Sequence, residues 1–170
     1  MELVVANTVA EWRAWLARNC RSATEAWLVI QHKHSGKPSS RVHEAVEQAL
    51  CFGWIDGLHR KRDADSSQLR FTPRRPSSTW SALNRERATR LTTLGLMTPA
   101  GQAMIDLAKA TGRWEVPVPE DIRALLEEQP SFHRLPPSRK RLTLEWIATA
   151  KRPETRQRRL EAALQGGGPL

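Results

Sequence analysis

The chain has 170 residues, a formal net charge of +9 and a pI near 10.7, with 39% hydrophobic and 26% charged residues. That size and balance suit an ordinary globular protein able to bury a sizeable core, and they exclude a disordered chain or a disulfide scaffold. The excess of cations points to an anionic partner: an anionic macromolecule such as nucleic acid, an acidic protein, or a phosphorylated ligand.

The opening MELVVANTVAEWRAW has no basic leader and only a short apolar run. It reads as neither a signal peptide nor a membrane span, which predicts a cytoplasmic protein. Thr8 followed by Glu11 is a capping-box spacing, predicting a helix that carries Val9, Trp12 and Leu16 on one side and ends near Asn19. Cys20 and Cys51 read as small buried thiols.

EAWLVIQHKH, from Glu25 to His34, is rich in strand formers. It alternates Trp27, Val29 and Gln31 against Leu28, Ile30 and His32, and SGKPSS ends it. Val42, Val46, Ala49 and Leu50 recur at helical spacing, and Gly53 is the point where the chain leaves that helix. IDGLHRKR and SQLRFTPR then predict a hairpin around Asp63-Ala64-Asp65-Ser66, with Trp54 to Gly57 as the corner from helix into hairpin and Pro73 and Pro76 closing the second strand.

The remainder reads as helices. Ser78 or Thr79 is positioned to cap a segment carrying Trp80, Leu83, Leu91 and Leu94, and Thr98-Pro99 opens another with Met104, Ile105 and Leu107. RWEVPVP is an extended linker. Helices follow from Pro119, from Ser138 with Leu142, Trp146 and Ile147, and from Pro153 with Leu160 and Leu164. The expected fold class is therefore α+β: a small three-stranded antiparallel sheet with helices, then an all-helical C-terminal part. Residues 1–115 form the α+β region, 116–165 the helical region and 166–170 a loose tail.

No Gly-rich phosphate loop, Cys-x-x-Cys, His-Glu-x-x-His or nucleophile elbow occurs. ALCFGWIDG, LRFTPRRPSSTWSALNRERATRL, GLMTPAGQAMIDLAKATGRWE and WIATAKRPETRQRR together resemble the YdeI or OmpD-associated family, the bacteriocin-protection proteins of bacteria and archaea. The resemblance runs from about Trp27 to about Arg159. It implies a link to resistance against bacteriocins and cationic antimicrobial peptides, with an outer-membrane porin as associate. It implies no reaction, no cofactor and no catalytic residues.

Two basic zones, residues 51–90 and 134–170, flank a mildly acidic stretch. In the second zone Arg139, Lys140 and Arg141 fall in the first turn of a helix, where the macrodipole disfavours cations and free amides welcome an anion. Lys151, Arg152 and Arg156 follow, with Arg158 and Arg159 beyond. In the first zone Arg60, Arg62 and Arg70, with Arg74 and Arg75, form a basic ribbon able to track a phosphate backbone, although few aromatic residues lie where bases would stack. A different class of reading is an enzyme with a site at Trp54, Asp56 and His59. His32 and His34, on one strand face, approach metal spacing with His59, although polar residues on a half-exposed strand explain them as well and no metal site is expected. The reading as a whole is a non-enzymatic stress protein, resembling the bacteriocin and antimicrobial-peptide protection family, that acts by binding an anionic partner. The alternative is an enzyme of unrecognised class with its site around Trp54, Asp56 and His59.

Overall fold

The computed structural model describes residues 3–150 and 152–169. Packing divides the chain into two compact units, residues 1–78 with 87–110, and residues 79–86 with 111–170.

In the first unit, helix α1 (Val9–Asn19) begins where Thr8 Oγ1 accepts the Glu11 amide at 3.2 Å. The Glu11 carboxylate reaches one residue further back than a capping box requires and accepts the Asn7 amide at 2.7 Å. Trp12 and Leu16, four residues apart on one face, are fully buried. Strand β1 (Leu3–Val4) precedes this helix and strand β2 (Ala26–Gln31) follows it, and the two pair in parallel with Leu3 opposite Trp27 and Val4 opposite Leu28. Parallel neighbours need a crossover, and α1 supplies it.

Strands β3 (Trp54–Lys61) and β4 (Ser66–Pro73) form the expected hairpin, and β4 also pairs antiparallel with β2. The sheet is thus four-stranded and mixed, in the order β1-β2-β4-β3, which corrects the expected three-stranded antiparallel sheet within the α+β class. Two residues are too few to show a period of two, so no pattern announced β1. β2 is buried on both faces, and its WLVI run matches that position.

Helix α2 (Val42–Cys51) buries Ala45, Val46, Ala49 and Leu50. Trp12 Nε1 donates to the Ala45 carbonyl at 3.0 Å and its ring lies 5.1 Å from that of Phe71, which joins α1, α2 and β4 in one core. The chain turns at Phe52 and Gly53, the latter at φ +75°. The corner therefore lies before Trp54, and Trp54 to Gly57 already belong to β3.

Helix α3 (Ala82–Thr93) starts later than the sequence suggests. Ser81 Oγ accepts the Asn84 amide at 3.3 Å, so Ser81 rather than Ser78 or Thr79 is the cap and Trp80 stands before the helix. Its buried residues are Ala82, Ala88 and Leu91, while Leu83 and Leu94 are exposed. The boundary between the two units falls inside this helix, between Glu86 and Arg87.

Helix α4 (Pro99–Ala110) begins against the end of α2: Thr98 Oγ1 donates to the Cys51 carbonyl at 2.6 Å. A Cβ on Gly101 would stand 2.3 Å from the same carbonyl, so only glycine admits this approach. Cys51 is buried, and burial pushes its thiol up; Cys20 is half-buried, and both are free thiols.

The second unit packs α5 (Glu120–Glu127), α6 (Pro130–His133), α7 (Pro137–Ala148) and α8 (Pro153–Leu164) around Ile122, Leu126, Phe132, Leu144, Ile147 and Ala163. Proline opens three of them, where its missing N–H is no loss. Residues 79–86 contribute Trp80, whose ring lies 5.0 Å from that of Trp114, and Arg85, which bonds the Trp80 and Trp114 carbonyls and the Glu145 carboxylate. Among the described residues no helix is long and apolar enough to cross a membrane.

Candidate anion-binding surfaces

α7 opens on Pro136-Pro137, with no side chain capping its first amides and no acidic residue in its first turn. Such an end keeps the partial positive charge of free N–H groups. Arg139, Lys140 and Arg141 follow one another there, and successive residues on a helix are turned apart by about 100°. They accordingly go three ways. Arg139 Nη1 donates to the Pro169 carbonyl at 2.9 Å, Lys140 Nζ lies 5.7 Å from the centre of the Phe132 ring, and Arg141 lies 3.9 Å from the Glu86 carboxylate.

Lys151 lies outside the described residues. Arg152 is the exposed residue before α8, and Arg158 is exposed on it. Arg156 Nη2 reaches the Ala150 carbonyl at 3.4 Å, and Arg159 donates to the Trp146 carbonyl with its guanidinium 5.2 Å over the Trp146 ring. Arginines of α8 thus close carbonyls at the end of α7, a capping contribution that charge alone did not reveal.

On the hairpin, the register shifts between Asp56 and His59, where Gly57 and Leu58 stand opposite Arg70 alone. This bulge sets Arg60 opposite Gln68, on the face of Trp27, whose ring it covers at 4.2 Å. Arg62 lies 3.7 Å from the Asp63 carboxylate. The Ser66 hydrogen bond holds the Asp63 carboxyl below the usual carboxylate range. Arg70 donates from Nε and Nη2 to one oxygen of Glu25, each at 2.8 Å, and this hydrogen bond likewise holds Glu25 low. Arg75 is exposed, whereas Arg74 is only 6% exposed. Burial pulls the Arg74 guanidinium down to about 10, with the Asp56 carboxylate acting in the opposite sense.

The tip of the hairpin is tied to the 3-10 turn Lys33–Ser35. The His32 amide donates to the Asp65 carbonyl at 2.8 Å, and His32 Nδ1 and His34 Nε2 both lie on the Ala64 carbonyl, at 3.3 and 3.1 Å. A carbonyl only accepts, so both nitrogens carry hydrogen in these bonds.

The three residues of the enzymatic reading are engaged separately. Trp54 is 1% exposed, with Nε1 on the Cys20 carbonyl at 3.1 Å and its ring edge-on to Trp15. Asp56 acts on Arg74, and His59 Nε2 lies 2.8 Å from Ser67 Oγ. His59 and the pair His32 and His34 thus have different hydrogen-bond partners, Ser67 Oγ and the Ala64 carbonyl. Among the described residues no group of three or more His, Cys, Asp or Glu is arranged to hold a metal.

The sequence reading missed the Arg85–Glu145 pair. Its partners lie 60 residues apart, and both are among the least exposed charges of the second unit. A lone Glu among Leu144, Trp146 and Ile147 was the available signal.

Residues 4–104, more than half of the chain, match the model of a domain family, and the chain belongs to that family, described as "Domain of unknown function (DUF8412)". Residues 115–165 match a second family, described as "Bacteriocin-protection, YdeI or OmpD-Associated". The resemblance read from the sequence is thus shown over the C-terminal region, while ALCFGWIDG and most of the quoted motifs before it lie under the first family. No curated protein and no solved structure matches the chain.

Proposed function

We propose that this bacteriocin-protection type of chain acts without catalysis, by binding an anionic partner at the start of α7. The observation that carries the reading is an uncapped helix end, free of acidic residues, followed at once by three cations. Their internal contacts are replaceable: a tail carbonyl, a ring and an exposed ion pair of a kind worth about 0–1 kcal/mol. Arg152 and Arg156, before and on α8, are further cations of the same unit. Arg60, Arg62 and Arg70 of the hairpin, with Arg75 past its end, supply a second basic surface, while Arg74 is buried.

Replacing Arg139, Lys140 and Arg141 together by Gln should leave the melting temperature unchanged or slightly raised, because repulsion at the helix end is relieved. The same variant should bind RNA or polyphosphate more weakly, with the log–log salt slope reduced by about 0.7–0.9 for each phosphate that is no longer neutralised. Parent-like binding across a salt titration would reject the reading. The enzymatic alternative at Trp54, Asp56 and His59 has one observation in its favour, the half-buried Asp56 beside a buried guanidinium. An acid and a base must share a reactant, and the separate engagements of the three residues favour the binding reading.

A further inference from the structure

β3 is the last strand in the sheet order, so no strand of the chain lies along its outer side among the described residues. Residues 57–61 are exposed, Leu58 at 57%. An edge of this kind recruits other strands unless it is guarded. Here the guards are the bulge at Gly57 and Leu58 and the run His59, Arg60, Lys61 and Arg62. A second copy of the same edge would set like charges opposite one another and be repelled.

The guard is selective by sign. A strand bearing carboxylates is drawn to the cations that reject a basic or identical one, and its own amides and carbonyls extend the ladder. We infer that the outer edge of β3 beyond the bulge, from His59 to Lys61, docks an extended acidic segment of a protein partner. That segment adds as a further strand, with carboxylates beside His59, Lys61 and Arg62. Asp63, paired to Arg62 at the tip, limits the attraction to the strand side of the turn. Nucleic acid fits this edge less well: Trp27 lies 6% exposed beneath the Arg60 guanidinium, so it offers bases no stacking platform, and edge carbonyls repel phosphates. The inference goes beyond the α7 reading and uses other residues.

The test is fluorescence anisotropy on the full chain with a short capped probe, alternating Val and Thr and ending in a run of Glu. Two further probes carry N-methyl groups on one or the other set of alternate amides. One N-methyl pattern should weaken binding about tenfold while the other leaves it unchanged, because only one set of amides faces β3. Lys61→Glu should weaken the acidic probe about fivefold at an unchanged melting temperature. The Arg139, Lys140 and Arg141 to Gln variant should bind it like the parent. Equal effects of the two N-methyl patterns would overturn the docked strand, and so would loss of peptide binding in the α7 variant. Single-stranded RNA that displaces the probe at equal charge concentration would overturn the choice of a peptide, leaving the α7 reading to its own salt titration.

Discussion

Glu145 is held by one oxygen only. Its Oε1 accepts from Arg85, while its Oε2 is buried and meets no hydrogen-bond donor among the described residues. Removing the guanidinium would leave an uncompensated carboxylate in the interior, so Arg85→Met should cost about 3–5 kcal/mol in urea unfolding. Adding Glu145→Met should recover most of that loss, because two apolar side chains then replace the pair. A pH effect belongs to Glu25, whose carboxyl is held below its ordinary value of 4.5 by the Arg70 hydrogen bond. A depressed carboxyl stabilises the fold above its unfolded value and loses that contribution as pH falls through the folded one. The melting temperature of the parent should therefore fall below about pH 4.5 more steeply than that of Glu25→Gln.

Elements that advertise themselves by local chemistry were legible in the sequence. Thr8 and Glu11 located the start of α1, the spacing of Val46, Ala49 and Leu50 located α2, and Asp63 to Ser66 located the hairpin turn. β1 carries too little chain for a period, α6 is a single turn after Gln129, and the periodic Leu83 of α3 and Leu94 just past its end drew attention away from the packed alanines of α3. The candidate site was legible as charge but not as contact: partners of Arg139, Arg141 and Arg159 are set by packing between distant segments. Two substitutions test the junctions that close the first unit. Gly101→Ala should cost about 1–3 kcal/mol through its clash with the Cys51 carbonyl, and Trp54→Ala about 3–5 kcal/mol through loss of a fully buried ring. A Trp54→Ala chain with the parent's melting temperature would return that residue to the enzymatic reading.

For the whole molecule, the charge of +9 argues against direct capture of cationic antimicrobial peptides. Screening acts over about 8 Å at physiological salt, inside which an approaching cation meets net repulsion. On the proposed reading protection would therefore be indirect, and a labelled cationic peptide should show no saturable binding by anisotropy at physiological salt. The discontinuous second unit also has a consequence for biosynthesis. Arg85 leaves the ribosome 60 residues ahead of Glu145, and Trp80 well ahead of Trp114. At about 5–20 residues per second, Arg85 waits about 3–12 s for its carboxylate. During that interval the segment from Thr79 to Glu86 is a nascent chain without its final neighbours, carrying a large indole ring. Chains arrested before Glu145 should be cut by protease within this segment, and chains released at full length should resist.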